Sequence, residues 1–104
     1  MATAAPSPSL DQYLLSDRFR PFPHVMWARH VDATVLLDAE GGLYYTLNDV
    51  ASRAWELLAA GEPVLEILQC LTNEYDIDAD TLQGDVAALV GELLSHDLVE
   101  RLRS

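Results

Sequence analysis

Lysine is absent from this 104-residue chain; its six basic residues are all arginine and stand against 17 aspartates and glutamates, for a formal net charge of -11. A surface of that sign repels phosphate backbones and anionic lipid, so neither nucleic acid nor a membrane surface is an expected partner. Cysteine is nearly absent as well. Cys70 alone closes no internal disulfide, no Cys/His cluster has zinc-site spacing, and a reducing cytoplasm without a bound metal or cofactor is the expected setting. No uncharged apolar run approaches the roughly 20 residues that a bilayer requires. The opening MATAAPSPSLDQYLLSDRF lacks the basic flank and sustained apolar stretch of a secretory signal.

Half of the residues are apolar, enough at this length for one modest core. MATAAPSPS is too poor in large apolar groups to offset its own ordering entropy. The following LDQYLLSDRFRPFP carries Tyr13, Leu14, Leu15, Phe19 and Phe22, but Pro21 and Pro23 forbid a long regular element. Residues 1–22 are therefore expected to be a partly disordered arm that packs on the body or on a partner, and residues 23–104 a single domain.

HVMWARHV, from His24 to Val31, alternates Val25, Trp27 and Arg29 with Met26, Ala28 and His30, the pattern of a strand with a buried face. TVLLD and LYYTL, on either side of Ala-Glu-Gly-Gly, read as a hairpin whose glycines permit positive φ. Asn48 follows at once with helix-capping chemistry, and Asp49 in the first turn complements the helix dipole. A first helix over about 49–60 presents Val50, Ala54, Leu57 and Leu58 and stops at Gly61. A second opens on Glu62-Pro63 with Val64, Ile67, Leu68 and Leu71 as its stripe, running to about Tyr75. A third spans about 79–96 with Leu82, Val86, Leu89, Val90, Leu93 and Leu94 at core spacing. DLVERL then closes the chain as a brief terminal segment. The expected fold is α+β, a three-stranded antiparallel sheet followed by three helices in the order β-β-β-α-α-α, with the outline of a winged helix-turn-helix.

Catalytic candidates are sparse: Cys70, His24, His30, His96 and scattered serines, none within a recognisable signature. Cys70 has the spacing of a small apolar residue on the second helix. SHD at 95–97 names triad residue types, but neighbours at a helix end do not relay one proton along a line. DIDAD resembles a calcium loop until Thr81 falls where glycine is required and Ala87 where the bidentate glutamate belongs; a capped turn is expected instead. A winged helix that reads DNA needs a basic recognition helix, whereas ADTLQGDVAALVGELLSH has Asp80, Asp85 and Glu92 and no arginine.

The ordered set of motifs, an LLD…G.YY.LN hairpin, A..AWELL..G, EI...L..EYD and DV..LV.ELL...LV over about 34–100, resembles the PqqD-like family of RiPP recognition elements. Among these the chain is most similar to the stand-alone leader-binding proteins of lasso-peptide clusters. The resemblance implies a protein that is not an enzyme. Such a protein captures the leader of a ribosomally made precursor as an added strand and delivers it to a processing peptidase or other maturation enzyme. Carried onto this chain, it implies leader contacts from Leu43, Tyr44, Tyr45, Thr46 and Leu47 on the third strand and from Leu82, Asp85, Val86, Leu89 and Glu92 on the third helix. An exposed sheet edge beside a helix has the chemistry for this, backbone pairing for affinity and pockets for specificity, with the two acids able to pair basic leader residues. A monomer is the default, although a free edge also permits a strand-mediated dimer. The competing reading is a winged-helix transcription regulator or an acidic inhibitor of a nucleic-acid-binding protein; an acyl-carrier reading lacks the Asp-Ser-Leu attachment site.

Overall fold

The hairpin forms where its residues predict it, for a reason that involves both glycines. In the computed structural model, which describes residues 15–102, the Asp38 carboxylate accepts hydrogen bonds from the Glu40 and Gly41 amides at 3.0 and 2.9 Å. The Gly42 amide donates to the Asp38 carbonyl at 2.7 Å. Gly42 takes φ +73, and a Cβ on Gly41 would lie 2.6 Å from the Asp38 carboxylate, so one glycine supplies conformation and the other supplies space.

This turn joins β3 (Thr34–Asp38) to β4 (Leu43–Leu47), and β3 also pairs antiparallel with β2 (Val25–Arg29) in the order β2-β3-β4. Three helices follow, α1 (Asp49–Ala59), α2 (Val64–Glu74) and α3 (Ala79–Ser95), each within a residue or two of its expected span. The expected sheet and helices are therefore present, but the order β-β-β-α-α-α is incomplete. A strand β1 (Arg18–Pro21) precedes them, a strand β5 (Val99–Leu102) follows, and these two pair antiparallel as a separate sheet.

That second sheet moves the start of the body ahead of residue 22. Residues 1–14 of the expected arm lie outside the described residues, whereas Arg18–Pro21 is a strand in register with Val99–Leu102. Phe19 is fully buried beneath it, Arg20 pairs across the strands with Glu100 at 2.7 Å, and the Phe22 amide donates to the Leu98 carbonyl. Pro21 is tolerated because it ends β1. The residues before β1 also have a structural task. Pro63 has no side chain that can cap α2, and the free Val64 and Leu65 amides donate instead to the carbonyls of Asp17 and Leu15 at 3.0 and 2.9 Å.

One core joins these parts. Trp55, Leu57 and Leu58 of α1 pack with Val64, Ile67 and Leu71 of α2, Leu82, Val86, Val90 and Leu93 of α3, Leu36 of the sheet, and Phe19 and Val99 of the second sheet. Trp55 is 0 % exposed and makes a T-shaped contact with Trp27 at 5.3 Å between ring centroids. Helices α1 and α2 are also clasped outside the core, where Arg53 forks onto both oxygens of Glu74 at 2.9 and 3.0 Å and reaches Glu56 at 3.2 Å. Asp78 caps α3, accepting from the Asp80 and Thr81 amides, as the capped-turn reading of DIDAD expects. Among the described residues no helix is long and apolar enough to cross a membrane.

Two outcomes are expected. Phe19→Ala removes a fully buried ring that ties β1 to the core and costs about 3–5 kcal/mol of unfolding free energy, measurable by urea denaturation. The Glu74 carboxyl is held below its ordinary value, chiefly by hydrogen bonds from Arg53. Because the folded chain then takes up that proton less readily than the unfolded chain, the clasp stabilises above the ordinary carboxylate range and is lost as pH falls through the lowered value. The stability gap between the wild type and Glu74→Gln therefore narrows on going from about pH 6 to about pH 3; a gap independent of pH would contradict it.

Candidate functional site

Strand β4 ends and α1 begins with one residue between them. Asn48 takes an extended conformation, its side-chain oxygen accepts from the Ala51 amide at 2.8 Å, and its carbonyl accepts from the Ser52 amide at 2.7 Å. The Ser52 hydroxyl, fully buried, donates back to the Leu47 carbonyl at 3.2 Å. This junction holds β4 rigidly against the start of α1. Since α1 packs on α3, the strand edge and the third helix acquire a defined relation.

Along α3 the residues Asp85, Leu89, Glu92 and His96 recur at intervals of three or four and share one face. At the C-terminal end of that face His96 lies 3.6 Å from Glu92, and its ring meets Tyr45 of β4 at 5.1 Å between centroids. Toward the other end, Asp85, Val86, Ala88 and Leu89 form one wall of a groove of about 300 Å³ whose opposite wall is Asn48, Val50, Ala51 and Ala54 of the β4–α1 junction, with Leu71 at the side. The groove is mostly apolar and carries an acid at its rim. Among the described residues no arginine lines it; Arg29 is committed to Asp49 and Glu56, Arg53 to Glu56 and Glu74, Arg20 to Glu100, and Arg18 to the Gly61 carbonyl. Tyr75, which follows α2, stays neutral, its phenol pushed up by burial first and then by Asp49 of the first turn of α1.

Beside the groove runs the free edge of β4. Within the order β2-β3-β4 this strand is terminal, and among the described residues no strand pairs with its outer side. Tyr44 is 71 % exposed, Leu43 and Thr46 are exposed, Tyr45 is half-buried toward His96, and Leu47 is buried. The residues singled out from the sequence thus separate into groups. Leu43, Tyr44, Tyr45 and Thr46 and the α3 residues Asp85, Leu89 and Glu92 are exposed or half-buried, Asp85 and Leu89 at the groove and Tyr44 and Thr46 on the sheet face turned away from the buried Leu36; Val86 lines the groove from a largely buried position, and Leu47 and Leu82 belong to the core. Sequence reasoning missed the groove's second wall, Asn48, Val50, Ala51 and Ala54, and the Tyr45–His96 contact. The helical spacing of His96 from Leu89 and Glu92 was the available signal for the latter.

The other reactive groups are engaged elsewhere. His24 faces the Asp97 carbonyl at 3.1 Å and Asp38 at 3.8 Å, Ser95 donates to the Glu92 carbonyl, and Cys70 is half-buried against the core. No group of three or more metal-binding side chains occurs among the described residues.

A small antiparallel sheet with a free edge, backed by three helices and a mostly apolar groove, defines a peptide-docking type of surface. The family model described as coenzyme PQQ synthesis protein D (PqqD) matches residues 33–99, and the chain belongs to this family. Comparison with curated proteins gives no match. Among solved structures the chain is similar to one described as TbiB1 in complex with the TbiA(beta) leader peptide, at 30 % identity and TM-score 0.73, covering 82 % of this chain and 99 % of that one. It is also similar to a lasso peptide synthetase B1 complexed with the leader peptide, at 32 % identity and TM-score 0.72, covering 80 % and 98 %.

The junction is testable on its own. Asn48→Ala removes the cap that joins strand to helix and lowers stability by about 1 kcal/mol, whereas Asn48→Asp, which still accepts the Ala51 amide, stays close to wild type. Thermal and urea unfolding of the two variants provide the check.

Proposed function

We propose that this chain is a non-catalytic recognition protein that binds the leader of a ribosomally synthesised precursor peptide, that of a lasso peptide, and hands it to a processing peptidase or other maturation enzyme. The observation that carries the reading is the free edge of β4 lying beside the groove between α1 and α3. An incoming strand of about five residues, roughly 17 Å long, matches β4 in length. Its backbone bonds the open edge, and alternate side chains enter the groove against Val50, Ala51, Val86 and Leu89. Asp85 and Glu92 accept basic leader residues at the rim, while Leu47 and Leu82 hold strand and helix in place from the core. Both similar structures contain a leader peptide, which supports the assignment of the same ligand class here.

In this reading the helices and hairpin form a winged helix-turn-helix used for peptides. Its third helix carries Asp80, Asp85 and Glu92 and no basic residue, which argues against a nucleic-acid partner. The cytoplasm, where precursors are made, is the setting it implies. The boundary between arm and domain is then redrawn at about residue 15, where the chain begins to cap α2.

The test is a titration of the chain against the leader peptide encoded beside its gene, with a scrambled leader as control. Saturable binding of the true leader alone is expected. Leu89→Glu weakens it by about tenfold or more while leaving the far-ultraviolet circular dichroism unchanged, since this side chain is only half-buried. Asp85→Lys and Glu92→Lys each weaken it by a few-fold at low salt and less at high salt, as exposed charges do. Equal binding of the scrambled peptide, or an unchanged affinity in Leu89→Glu, would overturn the assignment.

A further inference from the structure

Helix α1 turns opposite sides to the groove and to a chain of charges. Asp49, Arg53 and Glu56 fall within about 60° of one another around the helix, whereas Val50, Ala51 and Ala54, which line the groove, centre on the other side. Behind the groove wall the charges alternate in sign without a gap. Arg29 of β2 lies 3.6 Å from Asp49 and 3.7 Å from Glu56, Glu56 lies 3.2 Å from Arg53, and Arg53 forks onto Glu74 of α2. Arg29 enters this chain from the far side of the sheet, since β2 and β4 are its two outer strands, about 10 Å apart. Trp27 and Arg29 stand on the face of the buried Thr34 and Leu36, and both reach α1, Trp27 at Trp55 and Arg29 at two carboxylates a pair of helical turns apart.

The junction at Asn48 attaches one edge of the sheet to α1, and a single point of attachment fixes position without fixing tilt. We infer that Arg29 is a positioning residue for leader binding: by tying β2 to the back of α1 it sets the tilt of the sheet, and so the spacing between the free β4 edge and the groove wall of Val50, Ala51 and Ala54. The inference rests on the leader-binding reading and adds to it a residue that touches no leader. An added strand has to hold hydrogen bonds of about 2.9 Å to β4 while its side chains reach the groove, and a rocking sheet does not satisfy both at once. The ring contact of Trp27 with Trp55 is apolar and lets the surfaces slide. A guanidinium set between Asp49 and Glu56 resists displacement along α1 in either direction. These ion pairs are partly exposed, with the Arg29 side chain 33 % accessible, so they contribute little to the stability of the fold. Their effect therefore shows in leader affinity rather than in unfolding.

The experiment measures affinity for the leader peptide encoded beside the gene, by fluorescence anisotropy, and urea unfolding. The full chain carries Arg29→Ala, Arg29→Lys, or Asp49→Asn with Glu56→Gln, the last pair also combined with Arg29→Ala. Arg29→Ala is expected to weaken leader binding about fivefold or more while moving the urea midpoint by no more than about 0.5 M. Arg29→Lys, which keeps the charge, recovers part of the loss, and Arg29→Ala costs nothing further once Asp49 and Glu56 are neutral. NMR relaxation dispersion of the free chain gives a readout that needs no leader: exchange at the β4 amides in Arg29→Ala that the wild type lacks. Leader affinity of Arg29→Ala within about twofold of wild type overturns the inference. So does a loss of affinity matched by an equal loss of stability, which assigns Arg29 to the fold alone, or one that persists in full beside the neutral partners, which assigns it a direct leader contact. Wild-type chain that binds no leader overturns the leader reading; dispersion then still decides whether Arg29 holds the sheet, and β4 amides as quiet in Arg29→Ala as in wild type overturn that as well.

Discussion

Everything at the groove depends on a single-residue connection. Leu47 ends the sheet, Asp49 begins α1, and Asn48 between them satisfies helix amides with its side chain while its neighbours exchange further bonds across the junction. A longer linker would let the hairpin swing, because each added residue brings its own conformational freedom. With none to spare, the orientation of the hairpin is set by the packing of α1, and α1 is locked by Trp55, fully buried in the core and in T-shaped contact with Trp27 of β2. The free strand edge therefore sits beside α3 as a fixed feature.

Around that constraint the chain divides its charge between two tasks. The arginines with described side-chain contacts serve the scaffold: Arg53 clasps α1 to α2, Arg20 joins β1 to β5, Arg29 ties β2 to α1, Arg18 bonds the Gly61 carbonyl after α1, and Arg101 of β5 pairs with Asp17. Among the acids they leave over, Asp85 stands at the groove and Glu92 further along the same face of α3. A protein that binds backbone through a strand edge gains little discrimination from that pairing, and discrimination in such proteins comes from side-chain pockets beside the edge. The same sheet meanwhile shows its other face, carrying Met26, Leu37 and Tyr44, apolar and open.

Much of this was legible in the residues. The strands at 25–29, 34–38 and 43–47 announce themselves by alternation and by the glycine pair, and the helices by their stripes and by Asn48 as a cap, while DIDAD announces a cap for α3 without distinguishing Asp78 from Asp80. The second sheet was not legible. RFRP and VERL are each four residues long, contain no period strong enough to read, and acquire strand geometry only from each other, across most of the chain. The stripe on α3 was legible in part. That helix is apolar on more than one side, so spacing alone does not distinguish Leu82, which belongs to the core, from Val86 and Leu89, which also line the groove.

What the sequence determined by itself is local or compositional: which segments pair as a hairpin, where helices start, the strong excess of acids over six arginines with no lysine, and the family to which the motifs belong. Each follows from interactions among residues a few positions apart or from composition. The tertiary structure decided the rest. It closed β1 on β5, capped α2 with the carbonyls of Leu15 and Asp17, and brought Asn48, Val50 and Ala51 opposite Asp85, Val86 and Leu89. These are contacts between distant parts of the chain, and they form only when burying one shared core brings the elements that carry them together.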